Sequence, residues 1–497
     1  MADTAYATIE DRLREVQYLS DSESVLSWDQ QVMMPEGGTP ARAKQVGTLT
    51  RIRHEIVGSD ELGEALEAVE HADLGADEQA IVREARRRYD RAAPVPSDFV
   101  GTLRETISNA FPVWVEAKES DDFDAFAPVL EELIELRREY AAYIDPDAPP
   151  YEVLFTEYEP YLSLDTANEI LETLRSELVP LIQAVNDSNV TLSDDIFGGS
   201  VDLETQEAIS REALDLVGFE WEHGRLDTSA HPFSSGNPFD ARITTRYQES
   251  EPLDAFTATL HEFGHAQYTL GLDREAYGTP LGNARELTVH ESQSRLWENH
   301  IGRSAAFWRG FLPRAAGYIP ALEQVTTREA YEAANQVYPD NFIRVEADEL
   351  TYHLHIIIRF EIEQDLIEGT LDVAEIPAVW NDKYESYLGI RPETDAEGCL
   401  QDVHWAHGSF GYFPTYSLGS VLAAQIFDAL SSDLPDIEDK IESGTFDPIR
   451  SWLGEQVHQH GQRYPTPELI EEATGAPYSA TPFVEYVTEK YSELYNL

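Results

Sequence analysis

Apolar residues recur at helical spacing along much of the chain. Ile170, Leu174, Leu178 and Leu181 fall three or four apart behind Asp165, with acidic residues on the opposite side. That period gives one buried stripe on an α-helix, and Asp165 reads as the N-cap that satisfies its first free amides. Ile9, Leu13 and Val16 repeat the pattern near the start. Breaks fall where proline and glycine gather, at residues 92–96, 145–150 and 197–199, and none is long enough for a disordered linker. The clearest strand is short, residues 241–247, with β-branched side chains. The pattern predicts a mostly α protein with a small β element and no internal repeat.

Charge changes this picture. Against 35 basic residues stand 93 acidic ones, a formal net charge of −58. Nucleic acid would be repelled. Aromatic residues make up 10% and are spread along the chain, which argues against an acidic disordered protein. Adaptation to high salt fits better, because at molar salt the screening length falls to about 3 Å and self-repulsion is suppressed. Lysine is scarce, with only Lys44, Lys118, Lys383, Lys440 and Lys490. Cys399 stands alone, which excludes an intramolecular disulfide and is compatible with a reducing cytosol. No apolar run approaches the ~18 residues needed to span a bilayer, and the first residues carry no signal-like segment. The expectation is a soluble, cytoplasmic protein with no membrane or nucleic-acid partner.

The chemistry concentrates at His261-Glu262-Phe263-Gly264-His265. On a helix, residues i and i+4 share a face, so both imidazoles can reach one metal ion with Glu262 beside the first. The helix is expected to begin near Ser250, as a cap, and Pro252, and to run through Phe256, Leu260 and Phe263. A hydrolytic metal site needs a third protein ligand. Residues 287–299 read as a second helix after breaks at Gly278, Pro280 and Gly282, and Glu286, His290, Glu291, Glu298 and His300 are all capable. Spacing leaves the choice among them open.

Six segments stand in order: His231-Pro232-Phe233, Asp240-Ala241-Arg242-Ile243-Thr244, the signature at 261–265, His290-Glu291-Ser292-Gln293, Ile343-Arg344-Val345-Glu346-Ala347-Asp348, and the run from Gly398 to Trp405. Together they resemble the thermostable carboxypeptidase Taq family of zinc metallocarboxypeptidases. Trp28-Asp29-Gln30 with Met34-Pro35, and residues 405–416, extend the likeness over essentially the whole chain. The resemblance implies one catalytic domain over residues 1–497, mostly helical, a zincin-type fold with two lobes around a deep groove and a small sheet near the zinc. It also implies a homodimer.

Carried over residue by residue, the resemblance implies that His261, His265 and Glu291 bind one Zn2+ per chain, with Co2+ a possible substitute, and that Glu262 is the catalytic base. Water activated by the metal would attack the scissile carbonyl while Glu262 takes and returns a proton. Tyr412 and Tyr416 are candidate donors to the tetrahedral oxyanion. A free C-terminal carboxylate calls for a guanidinium, and Arg344 is the candidate; an intrahelical ion pair with Asp348, four residues on, is the competing reading. His231 and His404 are candidate donors to substrate carbonyls, and Arg242 and Asp402 candidate braces of the cleft wall. The function expected is a broad carboxypeptidase acting on peptides, poor next to proline. A zinc oligopeptidase cutting short peptides internally is the rival.

Overall fold

The computed structural model describes residues 2–497. Ser163, not Asp165, opens the helix Leu164–Asp187: its side chain accepts from the Thr166 amide, while Asp165 sits in the first turn. The buried stripe is Ile170, Leu171, Leu174, Leu178 and Ile182. Leu181 lies at its edge, because a period of 3.6 carries the face from 178 to 182. The punctuation read from the chain holds. Helix Ala76–Ala92 stops before Ser97–Ser120, and Phe123–Ile144 before Pro150–Tyr158.

The chain is mostly helical, with one three-stranded sheet. Two large cores fill it. One surrounds the helix Tyr352–Glu368, with Leu354, Ile356, Ile358 and Ile362 fully buried; the other surrounds Phe263, Trp297, Phe307 and Trp308. The helix Pro414–Asp433 joins them, giving Leu418 and Val421 to the first and Leu422 and Ile426 to the second. The N-terminal helices form a lobe with its own small core of Ile9, Leu13, Leu62, Leu66 and Ile81. A cavity of about 500 Å³ opens between the helix Ala2–Val32 of that lobe and residues 231–235. No helix among the described residues is long and apolar enough to cross a membrane.

The sheet comprises β1 (Gly224–Thr228), β2 (Ser234–Asn237) and β3 (Asp240–Thr245), in the order β1-β3-β2. β1 runs parallel to β3, with Leu226 opposite Ile243, and β2 runs antiparallel, with Asn237 opposite Asp240. β3 ends two residues before the expected limit. Its buried residues Ala241, Ile243 and Thr245 face inward, and Thr245 Oγ1 donates to the Ala255 carbonyl of the following helix, 3.2 Å away. The sheet is thereby fastened to the helix that bears the signature histidines.

Two glycines set how closely helices meet there. A Cβ at Gly264 would stand 2.4 Å from the Gln293 carbonyl oxygen, and one at Gly419 would stand 2.4 Å from Glu291 Cβ. Both gaps are closed to any other residue. Phe263 completes the clamp: it is fully buried and meets Trp297 edge-on at 4.7 Å. Burying such a side chain contributes roughly 1.5–3 kcal/mol. The signature helix and the next helix are thus pinned on both sides of the polar face they share.

Candidate metal centre and active site

The signature helix spans Pro252–Gly271 and follows Glu251, with no side-chain cap; Ser250 does not play that part. Proline is tolerated in the first turn, where its missing N–H costs nothing. One turn of helix separates His261 from His265, and their rings lie 4.9 Å apart at 84°. The second helix spans Leu287–Arg295 and brings up Glu291, whose Oε2 is 3.7 Å from His261 Nε2 and 3.5 Å from His265 Nε2. Two ligands about 2.1 Å from a shared ion in tetrahedral array stand about 3.4 Å apart. The three side chains therefore fit one ion. They form the one such group among the described residues, with ligand atoms within 4.8 Å of one another.

Beyond Arg295 the helix widens into a π-helical segment, Leu296–Gly302, a form that recurs at functional sites. It carries Glu298, whose Oε2 accepts from His261 Nδ1 at 2.9 Å. Arg295 donates to Glu291 at 2.8 Å and to Glu298 at 3.2 Å, and Arg303 donates to Glu298 at 3.0 Å. Burial alone would raise both carboxyl pKa values, but Arg295 and the histidines hold Glu291 well below the usual carboxylate range. Arg295, His261 and Arg303 do the same for Glu298. Both are anions. His265 Nδ1 lies 2.6 Å from His290 Nδ1, and burial, helped by His265, lowers the His290 pKa to about 3.

Glu262 is different. It is buried, its Oε2 has no hydrogen-bond partner among the described residues, and burial raises its pKa against the opposing pull of His261 and His265. A carboxyl with a free oxygen and a raised pKa can both take and return a proton.

Next to this group lies a second polar cluster. Tyr352 connects them: Arg295 stacks over its ring at 4.9 Å, and its hydroxyl accepts from Arg344 Nη1 at 3.3 Å. Arg344 Nε and Nη2 both donate to Asp402 Oδ1, at 3.0 and 2.7 Å, while Arg359 Nε donates to Asp402 Oδ2 at 2.5 Å. Two guanidiniums thus share one carboxylate. Arg344 also lies 5.3 Å from the ring centre of Tyr416, whose hydroxyl is 3.4 Å from His404 Nε2. Tyr412 packs on Tyr416 at 5.3 Å, and burial, with the nearby Glu291 charge, keeps both phenols protonated.

Of the residues expected from sequence, His261, Glu262, His265 and Glu291 converge, and Arg344, His404, Tyr412 and Tyr416 gather beside them. The Arg344–Asp348 pair does not form. Residues 344–346 are a single 3-10 turn, and Asp348 instead accepts the amides of Tyr338, Leu350 and Thr351, which leads into the next helix. Asp402 orients Arg344, as a brace would. Arg242 lies over Trp28 at 4.4 Å and so ties the sheet to the N-terminal lobe. His231 stands apart, exposed in the connection between β1 and β2, where it lines the 500 Å³ cavity with Trp28 and Arg53. Arg295, Arg359 and Tyr352 escape the sequence reading, and Glu298, a candidate ligand there, is instead the partner of His261. For Arg295 a signal exists: it follows Glu291 by four residues, one helical turn, on the same face.

Helical ligands of this type on two adjoining helices, beside a small sheet and with a buried unpartnered carboxyl, define a helical zincin-type metallopeptidase. Comparison with known proteins narrows the class. The chain belongs to the Carboxypeptidase Taq (M32) metallopeptidase family, whose sequence model matches residues 8–491. It is 38% identical to thermostable carboxypeptidase 1 of Thermus thermophilus over 99% of both chains, and 36% identical to carboxypeptidase 1 of Bacillus subtilis over 98% of both. The crystal structure of an M32 carboxypeptidase from Deinococcus radiodurans superposes with a TM-score of 0.96 at 36% identity, covering 99% of this chain and all of that one. The chain is a metallocarboxypeptidase, and its substrates are peptides.

Proposed function

We propose that His261, His265 and Glu291 hold one Zn2+ per chain, with Co2+ able to replace it, and that Glu262 is the general base and acid of C-terminal peptide hydrolysis. The convergence of the three ligand atoms supports this, as does the ligand set itself: two imidazoles and one carboxylate leave residual positive charge and an open position. When bound, the ion supplies Lewis acidity, polarising the scissile carbonyl and acidifying water beside it. Glu262 removes the proton from the attacking water and delivers it to the departing amine. Tyr412 and Tyr416, protonated and half-buried, are the donors we assign to the oxyanion.

Exopeptidase action requires a grip on the substrate's terminal carboxylate, and we assign it to Arg344. Arg344 and Arg359 bring two positive charges against the single negative charge of Asp402, an excess of one in a chain of net charge −58. That local excess, one tyrosine away from the metal group, is the observation that favours cutting at the end of a peptide over cutting within it. His404 beside it, and His231 across the cavity for longer peptides, are the donors to substrate carbonyls. The family likeness supports broad side-chain preference with poor action next to proline, whose ring removes an amide donor.

Replacing Arg344 by Gln is expected to lower kcat/KM on free-acid peptides roughly 10²-fold, the loss of a charge-assisted bidentate contact, with little change on peptides ending in an amide. Equal losses on both substrates would remove the carboxylate role.

The same reading extends to the whole chain: one catalytic domain over residues 1–497, a homodimer as the family likeness suggests, and a cytoplasmic, salt-adapted enzyme. A lone buried cysteine suits a reducing compartment. The charge of −58 suits molar salt. Dialysis from molar salt into dilute buffer is expected to lower the Tm by tens of degrees or abolish the transition, with activity lost in parallel. A Tm independent of salt would contradict salt adaptation.

A further inference from the structure

His290 was among the candidates for a third ligand, and the group that fits an ion leaves it out. It nevertheless touches that group, since its Nδ1 lies 2.6 Å from His265 Nδ1. Two ring nitrogens at that distance share one proton, so one ring donates and the other accepts. His265 turns Nε2 toward Glu291, 3.5 Å from Oε2, and a nitrogen facing an ion must carry its lone pair. The proton therefore sits on His265 Nδ1, and His290 Nδ1 accepts it. His290 Nε2 then carries its own proton and makes no hydrogen bond among the described residues.

The two ligand histidines are thus held in different ways. His261 donates to the carboxylate of Glu298, the usual arrangement, whereas His265 donates to an uncharged ring. The ring is well supported. Tyr268 packs against it at 5.3 Å, with its hydroxyl fixed by the Arg285 amide at 2.9 Å, and His458, hydrogen-bonded to Gln293 at 2.9 Å, packs behind Tyr268 at 5.2 Å. Charge explains why an imidazole suits this place. It accepts the His265 proton without adding a further negative charge to those of Glu291 and Glu298, which Arg295 and Arg303 match.

We propose that His290 is the positioning residue of His265: its Nδ1 fixes the ligand's tautomer and ring orientation, and so sets metal affinity. Because His290 precedes Glu291, one turn of helix delivers both a ligand and the partner of another ligand. The proposal rests on the reading of His265 as a ligand, and the test separates the two.

Metal affinity is measured by chelator competition on His290→Leu, His290→Asn and His265→Ala, with folding of each metal-free protein followed by circular dichroism. Leu matches the ring in bulk but offers no acceptor, while Asn Oδ1 stands where Nδ1 does. His290→Leu is expected to bind Zn2+ about 10- to 100-fold more weakly, and His290→Asn within about threefold of the parent. Equal affinities for Leu and Asn, whether both unchanged or both weakened, would overturn the proposal. If the Leu variant does not fold, a tenfold loss in the Asn variant alone would overturn it. Retention of parental affinity by His265→Ala would instead overturn the ligand assignment beneath it.

Discussion

Glu262→Gln keeps about one metal ion per chain and loses peptidase activity by about 10²- to 10⁴-fold. The expected split follows from where the side chain stands. Glu262 makes no hydrogen bond through Oε2 and is not among the three groups that fit an ion, so its amide changes neither the ligand set nor any contact that positions it. What it removes is a base beside the two histidines whose raised pKa suits it to hold a proton and release it. Burial, which raises its pKa, suits it to return that proton to the leaving amine. Metal analysis and kcat on one peptide check both halves. Unchanged turnover would remove the base assignment, and lost metal would make Glu262 a structural part of the site.

Glu291→Ala and Glu298→Ala both weaken metal binding, the first more than the second. For Glu298, which acts through His261 Nδ1, the expected loss is about 10- to 100-fold. Glu291 is expected to lose more, since its oxygen is one of the three atoms that fit an ion. Each also anchors Arg295, and removal of either leaves a half-buried guanidinium with one carboxylate where it had two. Chelator competition reads the order. The reverse order would transfer the ligand role to Glu298.

Much of this was legible in the chain, for reasons particular to each element. The signature histidines could be read because they lie on one continuous helix, where spacing alone fixes a shared face. Glu291 could not be chosen over Glu286, His290, Glu298 or His300 by spacing, and the family likeness made the choice. Glu298 and His290 as partners of the two histidines were out of reach, because they meet them across helices and the chain has 93 acidic residues to choose from. The Arg344–Asp348 pair, the competing reading, needed a helix that is absent: the segment turns instead, Asp348 binds amides, and Arg344 reaches Asp402, 58 residues away. His231 shares a motif pattern with the others, yet the β1–β2 connection carries it to the cavity rim.

The most direct measurement is a time-resolved mass analysis of peptides that differ only in ending as a free acid or an amide, with metal-loaded, chelated and metal-restored enzyme in molar salt. The expected products form a ladder, shortened one residue at a time from the free C-terminus. Cleavage stops with chelator, returns with Zn2+, and is weak on the amide. Internal fragments as first products, or cutting that continues without metal, would contradict metal-dependent cleavage from the C-terminus.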